Sequence, residues 1–231
     1  MLELADRADS NSAVREDVWV RVPLAAPGPP DNDPTCRATP PNVVRCVDGE
    51  GLGRAYLLGL YLGDGMLTLA RRNVWRLRIT LDSKYPGILL RAKDAISEVG
   101  GRSAGEVARV GSVELYSNWK HWICLFPQHG PGPKHTRHVS LKPWQLRLIS
   151  KYPDEFLAGL IHSDGCRCVN RVKGYEYPRY FFSNMSGDIR AMFAMACTLV
   201  AVDCRPAGPQ NLSVARRRSV ETLDLLVGPK R

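Results

Sequence analysis

Nowhere do the 231 residues hold eighteen uninterrupted apolar positions, which excludes a simple membrane-spanning helix. The opening Met1-Leu2-Glu3-Leu4-Ala5-Asp6 lacks both the basic stretch and the apolar stretch of a secretory signal. Cysteine is sparse, seven in all and an odd number, so a disulfide scaffold is excluded and a reducing compartment fits. The remaining composition, 44% hydrophobic and 24% charged, rules out disorder throughout and a collagen-like fibre. These absences predict a soluble, cytoplasmic protein with a real core, long enough for one large domain or two small ones.

Acidic residues are scarce in most of the chain. The first fifty residues hold five Lys/Arg and nine Asp/Glu, whereas residues 51–231 hold 27 and 14, an excess of thirteen positive charges. An excess of that size suits a polyanionic partner, nucleic acid first; a basic surface that merely maintains solubility is the other reading of charge alone. Seven of the 17 prolines lie between Pro23 and Pro41, so residues 1–50 read as a poorly ordered arm or linker.

From Gly51 onward the chain is one unit written twice. Leu57-Leu58-Gly59-Leu60-Tyr61-Leu62-Gly63-Asp64-Gly65 returns as Leu157-Ala158-Gly159-Leu160-Ile161-His162-Ser163-Asp164-Gly165. After the first copy Trp75, Leu77, Ile79 and Leu81 alternate with Arg76, Arg78 and Thr80, the period of a strand with one basic exposed face. After the second, Val169 to Lys173 and Tyr177 to Ser183 read as two strands. Ile88 to Val99 and Ile189 to Val200 carry apolar residues at helical spacing. Val113 to Phe126 then reads as a hairpin turning near Ser117-Asn118, and Leu212 to Leu226 as another turning through Arg216-Arg217-Arg218. Between the units lie a Gly/Pro loop, Pro127 to His138, and a helix opened by Pro143; Asp154 reads as the cap of the second motif helix. The predicted division is an arm over 1–50, a first half over 51–138, a connecting helix within 139–152 and a second half over 153–231.

Taken as helices, the two motifs place Gly59 with Gly63, and Gly159 with Ser163, one turn apart, so each has a stripe of small residues that lets another backbone approach. Two such helices can pack on each other. Each ends in Asp-Gly, and a left-handed glycine is a common helix terminator, so Asp64 and Asp164 would emerge side by side. A carboxylate at a helix C-terminus meets the negative end of the macrodipole, and a second negative charge nearby adds to the cost. A cation should compensate. Asp64, Asp164 and the terminal carbonyls of Gly63 and Ser163 form an all-oxygen set suited to Mg²⁺ (or Mn²⁺). Ordinary core helices whose Asp-Gly merely makes a turn are the alternative for either motif alone; the duplication with both Asp retained favours the metal.

These motifs resemble those of the LAGLIDADG homing endonucleases of single-chain, two-motif type. The resemblance covers residues 50–231 and implies an α+β fold of two αββαββα halves about a pseudo-twofold axis. It also implies motif helices at the interface, antiparallel sheets forming a saddle over double-stranded DNA, and cleavage of both strands with divalent metal by a monomer that is internally a pseudo-dimer. The acidic ligands map onto Asp64 and Asp164. Ser140-Leu141-Lys142-Pro143-Trp144-Gln145 resembles the segment in which the family places a lysine over the active site, making Lys142 the third catalytic candidate; a solvated surface lysine is the other reading. Ser83 and Ser186 follow the basic strands, where the family often has a polar side chain, though either could simply open the next helix. The expected DNA contacts are Arg71, Arg72, Arg76, Arg78, Arg167, Arg171, Lys173, Arg179, Arg216, Arg217 and Arg218. Tyr61-Leu62-Gly63 departs from the signature at interface positions, not at the ligand.

Cys166-x-Cys168 is too closely spaced for the usual zinc pair and reads as core thiols, while His121, Cys124, His129, His135 and His138 match no zinc pattern. Besides a nuclease, two functions use this scaffold: a DNA-binding transcription regulator without catalysis, and an intron maturase gripping RNA. Paired carboxylates facing the phosphates oppose DNA binding unless a metal is present, which favours the nuclease.

Overall fold

The computed structural model describes residues 51–228 and Lys230, so the predicted arm over residues 1–50 lies outside the described residues. The first repeat comprises α1 (Leu52–Asp64), β1 (Gly65–Ala70), β2 (Val74–Asp82), α2 (Pro86–Gly100), β3 (Gly105–Arg109), β4 (Ser112–Trp119) and the short α3 (Trp122–Leu125). After α4 (Pro143–Lys151) the second comprises α5 (Pro153–Asp164), β5 (Gly165–Val172), β6 (Tyr175–Ser183), α6 (Gly187–Leu199), β7 (Arg205–Pro206), β8 (Asn211–Val214) and α7 (Arg217–Leu226). Each repeat is therefore αββαββα. Its four antiparallel strands run in the order β1-β2-β4-β3 in one sheet and β5-β6-β8-β7 in the other.

Local chemistry explains most boundaries. Pro86, Pro143 and Pro153 open their helices at the first turn, where a missing N–H costs nothing. Tyr152, not Asp154, occupies the cap of α5; Asp154 and Glu155 lie in its first turn, where the helix dipole favours them. Gly101 ends α2 in the left-handed conformation at φ 65°. Lys173 (φ 49°) and Gly174 (φ 85°) form the two-residue turn between β5 and β6, the hairpin geometry that needs positive φ at both positions.

Both predicted late hairpins are corrected. β4 is one strand through Trp119, paired with β3 across a turn at Val110-Gly111, and the segment after it is α3, because Trp122 is fully buried and its Nε1–H donates to the Ser117 carbonyl at 3.2 Å. Leu212 to Leu226 splits into β8 and α7, where Val220 and Leu223 are buried and Arg216 is the helix cap, not the tip of a turn.

The core lies where α1 and α5 cross between the two sheets. A Cβ at Gly59 would stand 2.9 Å from the Gly159 Cα, and one at Gly159 would fall on the Tyr56 carbonyl, so only glycine permits this approach. Around the crossing, Leu57, Leu60, Leu157, Leu160 and Ile161 are buried. Polar ties also join the halves: Arg91 of α2 reaches Glu155 of α5 at 2.6 Å, and the Tyr56 hydroxyl meets His162 Nδ1 at 2.9 Å. Burial holds that imidazole well below its ordinary range, at about 3, with the charges of Arg91 and Lys230 acting the same way. His162 is neutral and structural.

Candidate active site and nucleic-acid interface

Asp64 and Asp164 are the last residues of α1 and α5, and the crossing of those helices brings their carboxylates together. The following glycines are not left-handed: Gly65 (φ −86°) and Gly165 (φ −99°) are extended, so each helix runs straight into a strand. Glycine is required for space instead, because a Cβ would lie 2.5 Å from the Tyr61 Cα or 2.7 Å from the Ile161 Cα.

Two clefts flank the crossing. One, of about 750 Å³, is lined by Asp164, Gly63, Lys134, Asn184 and the loop carrying His129 and His135; the other, of about 260 Å³, by Asp64, Asp82, Ser163, Cys166 and Lys230. Each carboxylate thus lines a cleft with a lysine supplied by the opposite repeat. Lys134 Nζ donates to the carbonyls of Tyr61 (2.5 Å), Gly63 (3.2 Å) and Gly65 (2.5 Å), neutralising the negative end of α1. Lys230 Nζ donates to the Ser163 carbonyl at 3.4 Å, the matching place on α5. Nothing in the sequence marks Lys134.

Lys142, the lysine singled out from the sequence, is the exposed cap of α4, held by a capping interaction with Gln145, and lines neither cleft. Ser186 likewise caps α6, its hydroxyl accepting from the Ile189 N–H at 3.4 Å, and Ser83 lies in a turn, its N–H bonded to the Gly111 carbonyl at 3.2 Å. The polar neighbour of the carboxylates is Asn184, whose Nδ2 donates to Asp164 Oδ2 at 2.6 Å.

The electrostatics fit a cation. Loss of water in the cleft, then the charge of Asp164, push the Asp64 carboxyl up to about 6 even though its side chain reaches the surface. Asp164 is raised by dehydration, with the Asn184 hydrogen bond and both lysines opposing. Lys134 is lowered to about 8 and Lys230 is lowered too, dehydration outweighing the carboxylates. Dehydration is the largest cause at all four groups, and a cation would favour the ionised form of both carboxylates. Two carboxylates with the carbonyls of Gly63 and Ser163, each retaining a lone pair beside its lysine, suit a hard divalent ion that completes its shell with water and phosphate. No cluster of three or more His, Cys, Asp or Glu able to hold a metal occurs among the described residues. His129 packs edge-on against Trp75 and His138 pairs with Asp188 at 3.0 Å, so the histidine-rich loop is divided among separate contacts.

Register and burial define the sheet face turned away from the core. On the first sheet it carries Thr68, Arg76, Arg78, Glu114, Tyr116 and Asn118, with Arg71 and Arg72 in the turn between β1 and β2. On the second it carries Cys166, Cys168, Tyr175, Tyr177, Arg179 and Phe181, with Lys173 in the turn. The two thiols are thus surface groups of that face, Cys166 exposed and Cys168 partly so, and not core thiols. Arg167 and Arg171 alternate onto the opposite face: Arg167 is bound by Asp224 of α7 at 2.6 Å and Arg171 by Glu176 at 2.9 Å. Arg216 pairs with Asp203 at 2.5 Å and Arg217 with Glu221 at 2.8 Å, while Arg218 is exposed. Five of the predicted contact residues therefore lie off the two outer faces.

No family model matches the sequence, and no curated protein does. Solved structures do match. The structure of I-DmoI in complex with DNA and Mn covers 76% of this chain and 96% of its own at a TM-score of 0.50 and 17% identity. The homing endonuclease I-WcaI bound to its DNA recognition sequence covers 78% and 81% at 0.52 and 13%. The fold is that of the LAGLIDADG homing endonucleases. In LAGLIDADG terms α1 and α5 are the motif helices, and the carboxylates close each motif. No helix among the described residues is long and apolar enough to cross a membrane.

Proposed function

We propose that the protein is a site-specific endonuclease that hydrolyses phosphodiester bonds in both strands of double-stranded DNA with Mg²⁺ or Mn²⁺. The observation that carries this reading is the pairing, in each cleft, of a motif carboxylate from one repeat with a lysine from the other. Asp64 and Asp164 would hold the ion, with the Gly63 and Ser163 carbonyls beside them; the chemistry it would supply there is polarisation of the phosphate and a lowered pKa of bound water. Lys134 and Lys230 would stabilise charge that develops on the attacked phosphate, Lys134 through the field of an ammonium whose three hydrogens are held by carbonyls. Asn184 orients the Asp164 carboxylate through its 2.6 Å bond. Thr68, Arg76, Arg78, Arg179 and Lys173 offer the phosphate and base contacts of the saddle.

The test is incubation of purified protein with a randomised duplex library and Mg²⁺, followed by sequencing of cut ends. Cutting at defined sites is the expected result. Sequence-selective binding with no cut ends in Mg²⁺ or Mn²⁺ would instead assign a regulator on this scaffold, and retention of structured RNA in preference to duplex DNA a maturase.

A further inference from the structure

The outer face of the first sheet does more than present positive charge. Arg76 and Arg78 are two residues apart on β2, so their side chains leave the same face about 7 Å apart. Each is held at its inner nitrogen by a residue of β4. Arg76 Nε donates to Asn118 Oδ1 at 2.9 Å, directly across the strand pair, and its guanidinium lies 5.0 Å above the Tyr116 ring. Arg78 donates through Nε to Glu114 Oε1 at 3.0 Å and through Nη2 to Oε2 at 2.7 Å. Glu114 is only 8% exposed, so this carboxylate is a fixed anchor and not a mobile surface partner.

An arginine has five N–H donors in a planar fork. The anchor on Arg76 uses one and leaves both terminal amino groups; the anchor on Arg78 uses two and leaves Nη1 with the second hydrogen of Nη2. In both cases an end-on pair of donors remains. That pair matches the O6 and N7 acceptors of guanine in the major groove, the commonest specific contact an arginine makes. Immobilising the guanidinium beforehand removes ordering cost from binding and fixes the plane in which the acceptors must lie. The equivalent strand of the second sheet, β6, has Tyr175, Tyr177, Arg179 and Phe181 on this face, with Arg179 placed 4.8 Å over Phe181 and held by no carboxylate among the described residues.

We propose that Arg76 and Arg78 are specificity-determining residues that each read a guanine, and that Asn118 and Glu114 are the positioning residues that aim them. This inference rests on the DNA-binding reading given above and deepens it. At 3.4 Å per base step, side chains about 7 Å apart reach bases no more than about two positions apart. The half of the target lying under the first sheet should therefore contain two G·C pairs within that span.

The experiment is gel-shift selection of binding sites from a randomised duplex library in Ca²⁺, with uncut fragments sequenced, for the wild type and for Arg76→Lys, Arg78→Lys and Glu114→Gln. Lysine keeps the charge but loses the fork. The wild type should enrich two guanines within about two positions of each other. Arg76→Lys should lose the preference at one of them, and Arg78→Lys and Glu114→Gln should lose it at the other. Each should weaken binding to the selected site roughly tenfold to a hundredfold; the two lysine variants, which keep the charge, should leave binding to an unrelated duplex and its salt slope unchanged, whereas Glu114→Gln, which removes a negative charge, should leave it unchanged or raised. A selected site without such guanines, or one unaltered by both lysine variants, overturns the assignment. A Glu114→Gln protein that melts earlier yet keeps its base preference overturns the positioning role. Retention of no duplex at all overturns the DNA-binding reading first, and this inference with it.

Discussion

At the scale of single residues the proposed nuclease reading rests on the two carboxylates. Asp64→Asn or Asp164→Asn should abolish double-strand cleavage while leaving DNA affinity unchanged or raised, since one negative charge near the phosphates is removed; plasmid linearisation and gel shift measure the two separately. Lys134→Ala should slow cleavage of one strand by roughly 10²- to 10³-fold, the usual worth of one electrostatic stabiliser, whereas Lys142→Ala should leave the rate at the wild-type value. Asp64 and Asp164 were legible because each closes a repeated motif. Lys134 was not, because it sits in the Gly/Pro loop, where neither period nor motif marks a residue and only the tertiary return of the chain lays it on the end of α1. Lys142 was singled out because its segment resembles the one in which the family places a lysine; here that position serves the capping of α4.

At the scale of elements, the helix crossing and the docking of α7 are the points of greatest sensitivity. Gly159→Ala would drive a methyl into the Tyr56 carbonyl of the facing helix. Overpacking of this kind costs about 1–3 kcal/mol, and each kcal/mol lowers Tm by roughly 2–4 °C in a chain of this size. Calorimetry of the variant checks it. Asp224 joins α7 to the second sheet by accepting from Arg167 and, at 2.6 Å, from the Tyr180 hydroxyl. The Arg167 hydrogen bond first, and that of Tyr180 with it, hold this carboxyl below its ordinary range. A depressed carboxylate contributes stability that is present above the unfolded-state pKa, about 4, and is lost as pH falls through the lower folded value. Asp224→Asn should therefore melt below the wild type at pH 7, and the gap should close as pH falls beneath about 4. The alternation of β2 and the helical spacing of α2 and α6 could be read from sequence because their burial is one-sided. The hairpins near the end of each repeat could not: Trp122 and Leu223 belong to short helices whose one buried turn looks, at that length, like strand alternation.

At the scale of the whole molecule the two clefts are built alike but not identically. Each cleft has its own lysine, Lys134 in one and Lys230 in the other. They differ in volume, in Asn184, which serves Asp164, and in the triple carbonyl grip of Lys134 against the single bond of Lys230. On the nuclease reading each lysine variant should then act as a nickase. Lys134→Ala and Lys230→Ala should both accumulate nicked plasmid, with the nicks mapped by primer extension to opposite strands; nicks on the same strand would show that the clefts do not divide the strands between them. Gly63 faces Ser163 across the crossing so closely that a Cβ on the glycine would overlap the serine side chain. A side chain at position 63 would set Cβ against the Ser163 side chain and push the helix ends apart. The two copies therefore fit as a lock and its key: with serine on one side of the crossing, only glycine leaves room for it on the other.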